Sequence, residues 1–355
     1  MENQFSKIDK SNMREVILDF PKQFKIGNLN CENLKFKSKK LKSFSNIIIC
    51  GMGGSALPGD VLQLTNRNLQ TTTLPIIVHR DYGLPKETNK NSLIICISYS
   101  GNTEETISAF NEAQKRRIKA FVISSGGKLI EFAKKYKIPF VLVPSGIQPR
   151  CALGYQFSAL VKILSDIGVI KNIDKILEKL ENILEPQKIE VEGKNLAKKL
   201  LGFIPIVYSS NKWKVVSKIW KIKFNENSKL PSFFNFFPEL NHNEMVGIGQ
   251  TQINSAKKLL KFLFLIDSKE DHKRNLKRMR TTAKIFKDKG FGVIFVDIDR
   301  LTRKAKKTDN KTLYFFEKLF SSILLGDWVS YYLAIFQKID PTPVNLVEEF
   351  KNKIK

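Results

Sequence analysis

Histidine is scarce: His79, His242 and His272 are the only three in 355 residues. Cysteine is scarce too. Cys31, Cys50, Cys96 and Cys151 are widely spaced, form no CxxC pair and give no disulfide framework. Two of them end apolar runs of strand character, so reduced core thiols in a cytoplasm are the expectation. Long hydrophobic runs are missing: no stretch of 18 uncharged apolar residues occurs, which argues against a membrane span. The opening "MENQFSKIDKSNMREV" lacks the basic-then-apolar layout of a secretory signal. Acid is in short supply, with 34 Asp and Glu against 60 Lys and Arg, a net charge of +26. Such a balance favours acidic partners. Yet 49 of the 60 basic residues are lysine, scattered along the whole chain. The interleaving of cations and aromatics found on RNA-binding sheets is absent. The charge therefore points to solvated lysine-rich faces and an anionic small ligand, with no nucleic acid.

What is present is a rhythm of short, β-branched runs: "NIIIC" (46–50), "PIIVH" (75–79), "LIICIS" (93–98), "AFVISS" (120–125) and "FVLVP" (140–144). Segments of helical period such as "TEETISAFNEAQKRR" lie between several of them. Strands alternating with helices predict a parallel sheet covered on both faces. The rhythm restarts at "IPIVYSS" (204–210), "FLFLID" (262–267) and "FGVIFVDID" (291–299), after a connecting helical stretch. The fold class is α/β: two similar doubly wound domains, each a mainly parallel sheet flanked by helices. Residues 1–170, with a helical lead-in, form the first and residues 171–355, with a C-terminal helix, the second. The length suits two cores.

Two loops of the first domain carry candidate chemistry. In "IIICGMGGSALPGD", Gly51, Gly53, Gly54 and Ser55 fall between a strand and a helix, where backbone amides and the helix N-terminus favour an anion. The spacing also fits a dinucleotide turn with Ala56 third, with Asp81 as a distant acidic partner, and it fits a plain strand-to-helix turn. In "IICISYSGNTEET", Ser98, Ser100 and Thr103 surround Gly101 on a loop that opens another helix. N-capping needs one hydroxyl, and three make a phosphate cup.

"GMGGSA" followed by "SYSGNTEET" resembles the sugar isomerase domain. Together with "PR" (149–150), "NENSKLP" (225–231) and "PELNHNEMVG" (238–247), it resembles the bifunctional phosphoglucose/phosphomannose isomerases from about residue 45 onward. The resemblance implies interconversion of hexose 6-phosphates through an enediolate, with no metal or organic cofactor. A carboxylate suits the move of a proton between adjacent carbons, and an imidazole suits ring opening, since it gains and loses a proton near neutral pH. By the match, Glu226 is the base; on its own it reads as a solvated glutamate after a helix bearing Trp213, Val216 and Trp220 on one face. His242 opens the ring, with Asn241, Asn243 and Glu244 at hand to support it. Arg150, otherwise an ordinary surface arginine, stands beside the enediolate. The terminal "DPTPVNLVEEFKNKIK" adds Lys351 as a site lysine and Thr342 as a residue making room for the mannose epimer. The family also implies a homodimer with the site at the subunit interface, one subunit lending its histidine, which would make the aromatic "LPSFFNFFPEL" interface rather than core. His79, near a strand end, and His272, at the surface, match no role. Two rival readings remain at this point: a non-catalytic sugar-phosphate regulator keeping the cup but not the base, and a nicotinamide-dependent oxidoreductase using the glycine turn.

Overall fold

The rhythm of the strand runs becomes two parallel sheets in the computed structural model. It describes residues 5–25, 29–32 and 44–354, with backbone alone at 30–32, so the Cys31 thiol lies outside the described residues. The lead-in holds α1 (Met13–Leu18), started by Asp9, whose carboxylate accepts from the Met13 and Arg14 amides at 2.8 and 3.0 Å.

The unit Asp19–Ile183 contains β1 (Asn30–Glu32), β2 (Asn46–Cys50), α2 (Leu57–Leu69), β3 (Ile76–His79), β4 (Ser92–Ile97), α3 (Glu104–Lys115), β5 (Lys119–Ser124), α4 (Gly127–Lys135), β6 (Phe140–Leu142), α5 (Leu153–Asp166) and the short α6 (Asp174–Glu178) and α7 (Leu180–Ile183). Its sheet has the order β1-β6-β5-β4-β2-β3, parallel except where β1 meets β6. Every residue of β2 and β4 is buried, as strands covered on both faces must be, which is why they read as unbroken apolar runs. The chain leaves β2 to one side for β3 and to the other for β4. The carboxyl ends of β2 and β4 therefore flank the switch point where open α/β sheets form a crevice.

The other unit joins Met1–Leu18 to Leu184–Lys355. Its elements after α1 are α8 (Pro186–Leu200), β7 (Ile204–Ser210), α9 (Lys214–Glu226), β8 (Phe233–Phe237), α10 (Glu244–Gln250), α11 (Asn254–Leu259), β9 (Leu260–Ile266), α12 (Lys273–Asp288), β10 (Gly292–Asp297), α13 (Lys311–Phe336) and α14 (Asn345–Lys353). The four strands are parallel in the order β10-β9-β7-β8, which sets a second switch point between β7 and β9. Trp213, Val216 and Trp220 are all fully buried, as the one-face reading of that helix required.

Two expectations differ from this structure. The compact units divide at 18/19 and 183/184, not at 170/171. The lead-in helix belongs with the C-terminal unit because Arg14 makes a fork to Glu190 of α8, 2.8 Å from Nε and 2.9 Å from Nη2. "FFNFF" is a strand, β8, and the segment after it is partly core: Phe237 and Leu240 are fully buried while Phe233 is 58% exposed. By length and composition α13 could cross a membrane, with Glu317, Lys318 and Asp327 its only charges after Lys311, but 94% of its apolar window is buried in the protein. A helix apolar all round that packs inside its own unit is a core helix.

Candidate active site

At the first switch point the glycine loop follows β2 and the hydroxyl loop follows β4. They are held together by close backbone approach. A Cβ on Gly54 would lie 2.7 Å from the Arg150 backbone nitrogen, so only glycine lets the loop touch Pro149–Arg150. Gly101 has φ +70°, and a Cβ there would strike the Gly126 carbonyl at 1.8 Å. Ser55 is buried, and its hydroxyl accepts from the Tyr99 amide at 2.9 Å, tying the glycine loop to the hydroxyl loop. Gly53, at φ +48°, has open space around it.

The hydroxyls divide into two kinds. Ser98 is fully buried; its Oγ accepts from the Gly101 amide at 3.1 Å and lies 2.8 Å from Thr103 Oγ1. Its position is that of a brace, which departs from three hydroxyls presented side by side. Ser100 is exposed, and its hydroxyl accepts from the Asn102 amide at 3.3 Å within its own loop. Thr103 is the N-cap residue of the 12-residue α3 yet donates nothing to and accepts nothing from that helix end through its side chain. That leaves the first-turn amides of α3 facing outward beside two hydroxyls, a favourable seat for a phosphate.

Arg150 is 1% exposed, so it is no ordinary surface arginine. It sits in the turn Pro149–Cys151, and Nη1 donates to Gln148 Oε1 at 3.3 Å. Seven of the expected site residues, Gly53, Gly54, Ser55, Ser98, Ser100, Thr103 and Arg150, thus gather at one sheet end.

In the other unit, Glu226 is the last residue of α9, one position earlier than a residue following the helix, and half-buried. The loop after it is fixed from below. Asn227 Nδ2 donates to Ser330 Oγ at 2.9 Å, and Ser228 Oγ donates to the Ser330 carbonyl at 2.8 Å. Lys229, at φ +56°, donates to the Glu226 carbonyl and, at 3.2 Å, to that of Pro341. Glu226 is thereby joined through one lysine to the segment carrying Thr342, whose amide donates to Asp340 at 3.0 Å.

His242 closes a short 3-10 turn, Glu239–His242, and is exposed; its side chain makes no hydrogen bond among the described residues. Its neighbours do not support it as expected, because each is committed elsewhere. Asn241 donates to Thr282 Oγ1 at 2.8 Å, Asn243 to Glu239 Oε1 at 3.1 Å, and Glu244 accepts from Tyr208 and Asn235. Lys351 is exposed on α14 and paired with Glu348 at 2.8 Å. His79 does end β3, and His272 is exposed at the start of α12, where its Nδ1 accepts from the Arg274 amide at 3.2 Å.

Sequence reading missed what fills the second switch point. Lys318 of α13 is fully buried there, 3.0 Å from Asp267 and 2.9 Å from Asp299, carboxylates that follow β9 and β10. Trp213 Nε1 donates to Asp267 at 3.2 Å, and Lys212 and Lys307 hold Glu270 at 2.9 and 2.8 Å. Burial alone would raise the Glu270 carboxyl, but Lys307, Lys212 and Lys318 outweigh it and bring it down to about 2. Asp299 behaves alike: burial raises it, while Tyr314, Lys318 and Lys269 bring it down to about 2. The acids in "FLFLIDSKED" were a signal for this cluster, but a lysine in an apolar helix gave no partner. Among the described residues, no group of three or more His, Cys, Asp or Glu side chains is arranged to hold a metal ion.

Two doubly wound parallel domains, with a hydroxyl loop at the first switch point, define the phosphosugar isomerase class of α/β proteins. A putative phosphosugar isomerase from Clostridium difficile 630 has the same fold, with a TM-score of 0.67 and 16% identity, covering 95% of this chain and 97% of that one. Residues 189–354 match the bacterial phospho-glucose isomerase C-terminal SIS domain. The bifunctional phosphoglucose/phosphomannose isomerase of Caldicellulosiruptor bescii is 38% identical over 96% of this chain and 98% of its own length. That of Aquifex aeolicus is 37% identical over 90% and 93%. The chain belongs to the bifunctional phosphoglucose/phosphomannose isomerase family.

Proposed function

We propose that this chain interconverts glucose 6-phosphate and fructose 6-phosphate, and mannose 6-phosphate and fructose 6-phosphate, through an enediolate. The observation that carries this reading is family membership along 96% of the chain, with the hydroxyl loop seated at a sheet switch point. The regulator and oxidoreductase readings are not those of the family.

Ser100, Thr103 and the first-turn amides of α3 receive the phosphate, and Ser98 orients Thr103. Gly53, Gly54 and Ser55 present backbone to the sugar. His242 takes the hydroxyl proton and delivers one to the ring oxygen, opening the ring. The Glu226 carboxylate then removes the proton from C2 of the aldose and returns it to C1, while the proton on O2 passes to O1, giving the ketose. Arg150 faces the negative charge that develops on the two oxygens. Thr342 leaves room for either C2 epimer, and Lys351 contributes a second cation.

The active form is a homodimer in which His242 of one subunit completes its partner's site. An exposed histidine whose side chain makes no hydrogen bond among the described residues supports this. So does the apolar stripe along α14 and its C-cap, where Leu346, Phe350 and Ile354 are 77%, 59% and 51% exposed at helical spacing. Cys50, Cys96 and Cys151 are buried free thiols, as suits a reducing cytoplasm. The test is a coupled assay of the purified chain with each hexose 6-phosphate and no added cofactor. Conversion of glucose 6-phosphate and mannose 6-phosphate to fructose 6-phosphate is expected, and no conversion of either would defeat the reading.

A further inference from the structure

The amino ends of the first sheet carry a cavity of about 460 Å³ that none of the roles above uses. It lies beneath the starts of β4, β5 and β6, while the hydroxyl loop leaves β4 at the other end, about 15–20 Å away along six strand residues. Of its eleven lining residues four are cations, Lys90, Arg117, Lys119 and Lys137, and none is acidic. Among the described residues, Lys90, Arg117 and Lys137 form no ion pair, and all four cations are exposed. Half-buried Phe44 and Ile138 supply apolar wall.

Two of the cations occupy backbone positions that ordinarily belong to glycine. α3 and α4 end in the same cap. The Ile118 amide donates to Ala113 and the Arg117 amide to Gln114, at 2.9 and 3.0 Å; the Ile138 amide donates to Ala133 and the Lys137 amide to Lys134, at 2.8 and 3.1 Å. These paired bonds are the Schellman pattern, whose left-handed residue is most often glycine. Here it is Arg117 at φ +53° and Lys137 at φ +54°. A side chain in that conformation costs stability, and both side chains reach the same cavity.

We propose that this cavity binds a phosphorylated small molecule with an aromatic portion, its phosphates on Lys90, Arg117, Lys119 and Lys137 and its ring against Phe44. The volume lies in the range of ligand pockets, and four clustered cations over an apolar wall, three of them without an ion pair among the described residues, match both halves of such a molecule. The proposal is independent of the isomerase reading.

The test is calorimetric titration of the full chain with adenosine triphosphate and, separately, with inorganic pyrophosphate. Saturable binding of the nucleotide, tighter than that of pyrophosphate, is expected. Arg117→Gly/Lys137→Gly removes two cations where glycine is the better backbone residue, so this variant should melt no lower than the wild type and bind the nucleotide at least tenfold more weakly. Lys90→Ser, which makes no backbone demand, should weaken it at least threefold. Ser100→Ala/Thr103→Ala, at the opposite sheet end, should bind it as the wild type does. The proposal is overturned by no saturable nucleotide binding up to millimolar concentration, by unchanged affinity in either cation variant, by loss of binding in the hydroxyl-loop variant, or by pyrophosphate binding as tightly as the nucleotide.

Discussion

The hydroxyl of Tyr208, fully buried at the centre of β7, donates to the carboxylate of Glu244, two residues beyond His242. Burial, and then the Glu244 charge with its hydrogen bond, push the Tyr208 hydroxyl well above the ordinary tyrosine range, so it stays a donor. Asn235 of β8 donates to the other Glu244 oxygen, and Asn241 is held to Thr282 of α12 at 2.8 Å. The exposed histidine therefore stands on a backbone pinned on both sides to the sheet and to α12.

Tyr208→Phe keeps the ring packing and removes the donor. Loss of one partner of a part-buried carboxylate costs on the order of 1–3 kcal/mol of stability. If the pin positions His242, kcat should fall about tenfold for the cyclic substrate with little change in KM. A fall in melting temperature with kcat intact would reduce the tyrosine to a structural role.

Ser98 and Ser100 should separate cleanly. Ser98→Ala removes a buried acceptor from the Gly101 amide and should cost roughly 1–3 kcal/mol by denaturant unfolding. Ser100→Ala, at an exposed position, should leave stability within ~0.5 kcal/mol. Its effect belongs in KM, raised about tenfold or more by loss of a charge-assisted hydrogen bond of roughly 1.5–3 kcal/mol. An unchanged KM for fructose 6-phosphate in Ser100→Ala/Thr103→Ala would rule out the phosphate seat.

Glu226→Gln preserves shape and removes the base, so exchange of the carbon-bound proton with solvent deuterium should disappear for both aldoses. General acid–base terms are worth on the order of 10²–10⁴-fold, and the only base should reach or exceed that range. His242→Ala should cost far less with substrate already open-chain. Wild-type exchange in Glu226→Gln would place the base elsewhere, with Glu239 and Glu244 the next candidates.

The dimer is tested by dilution. Specific activity should fall as the protein is diluted through the nanomolar range, in step with dissociation followed by light scattering or mass photometry. A monomer that keeps full activity would end the shared-site reading.

The carboxylates gathered around Lys318 set the acid limit of the C-terminal unit. Glu270 and Asp299 have folded values brought down to about 2, below their unfolded ones. Such carboxylates stabilise the fold above the unfolded value and lose that contribution as pH falls toward the folded one. Stability should therefore be level above about pH 5 and decline between about pH 4.5 and 2. Lys318→Met removes the buried cation shared by Asp267 and Asp299, leaving Asp299 only the exposed Lys269, and should cost roughly 3–5 kcal/mol near neutrality. That deficit should shrink as the carboxylates protonate, measured as unfolding midpoints against pH. A deficit that grows on acidification would contradict the ion cluster.

Local pattern determined the parts of this protein that local physics controls. A doubly covered parallel strand must be apolar throughout, so β2, β4, β5 and β7 were visible as runs. A close turn needs glycine and an anion seat needs hydroxyls and amides, so the Gly54 and Ser100 loops were visible as motifs. What lay beyond reach depended on partners far along the chain. Arg14 finds Glu190 across 176 positions, which is how the first helix comes to belong to the last unit. β8 showed no alternation because it is an edge strand with Phe233 in solvent and Phe237 in the core. Lys318 looked like one more lysine among 49, and only the fold, by closing α13 over the ends of β9 and β10, made it a buried cation between two carboxylates. Spacing can announce a turn or a strand; burial and pairing arise only when segments distant in sequence exclude water together.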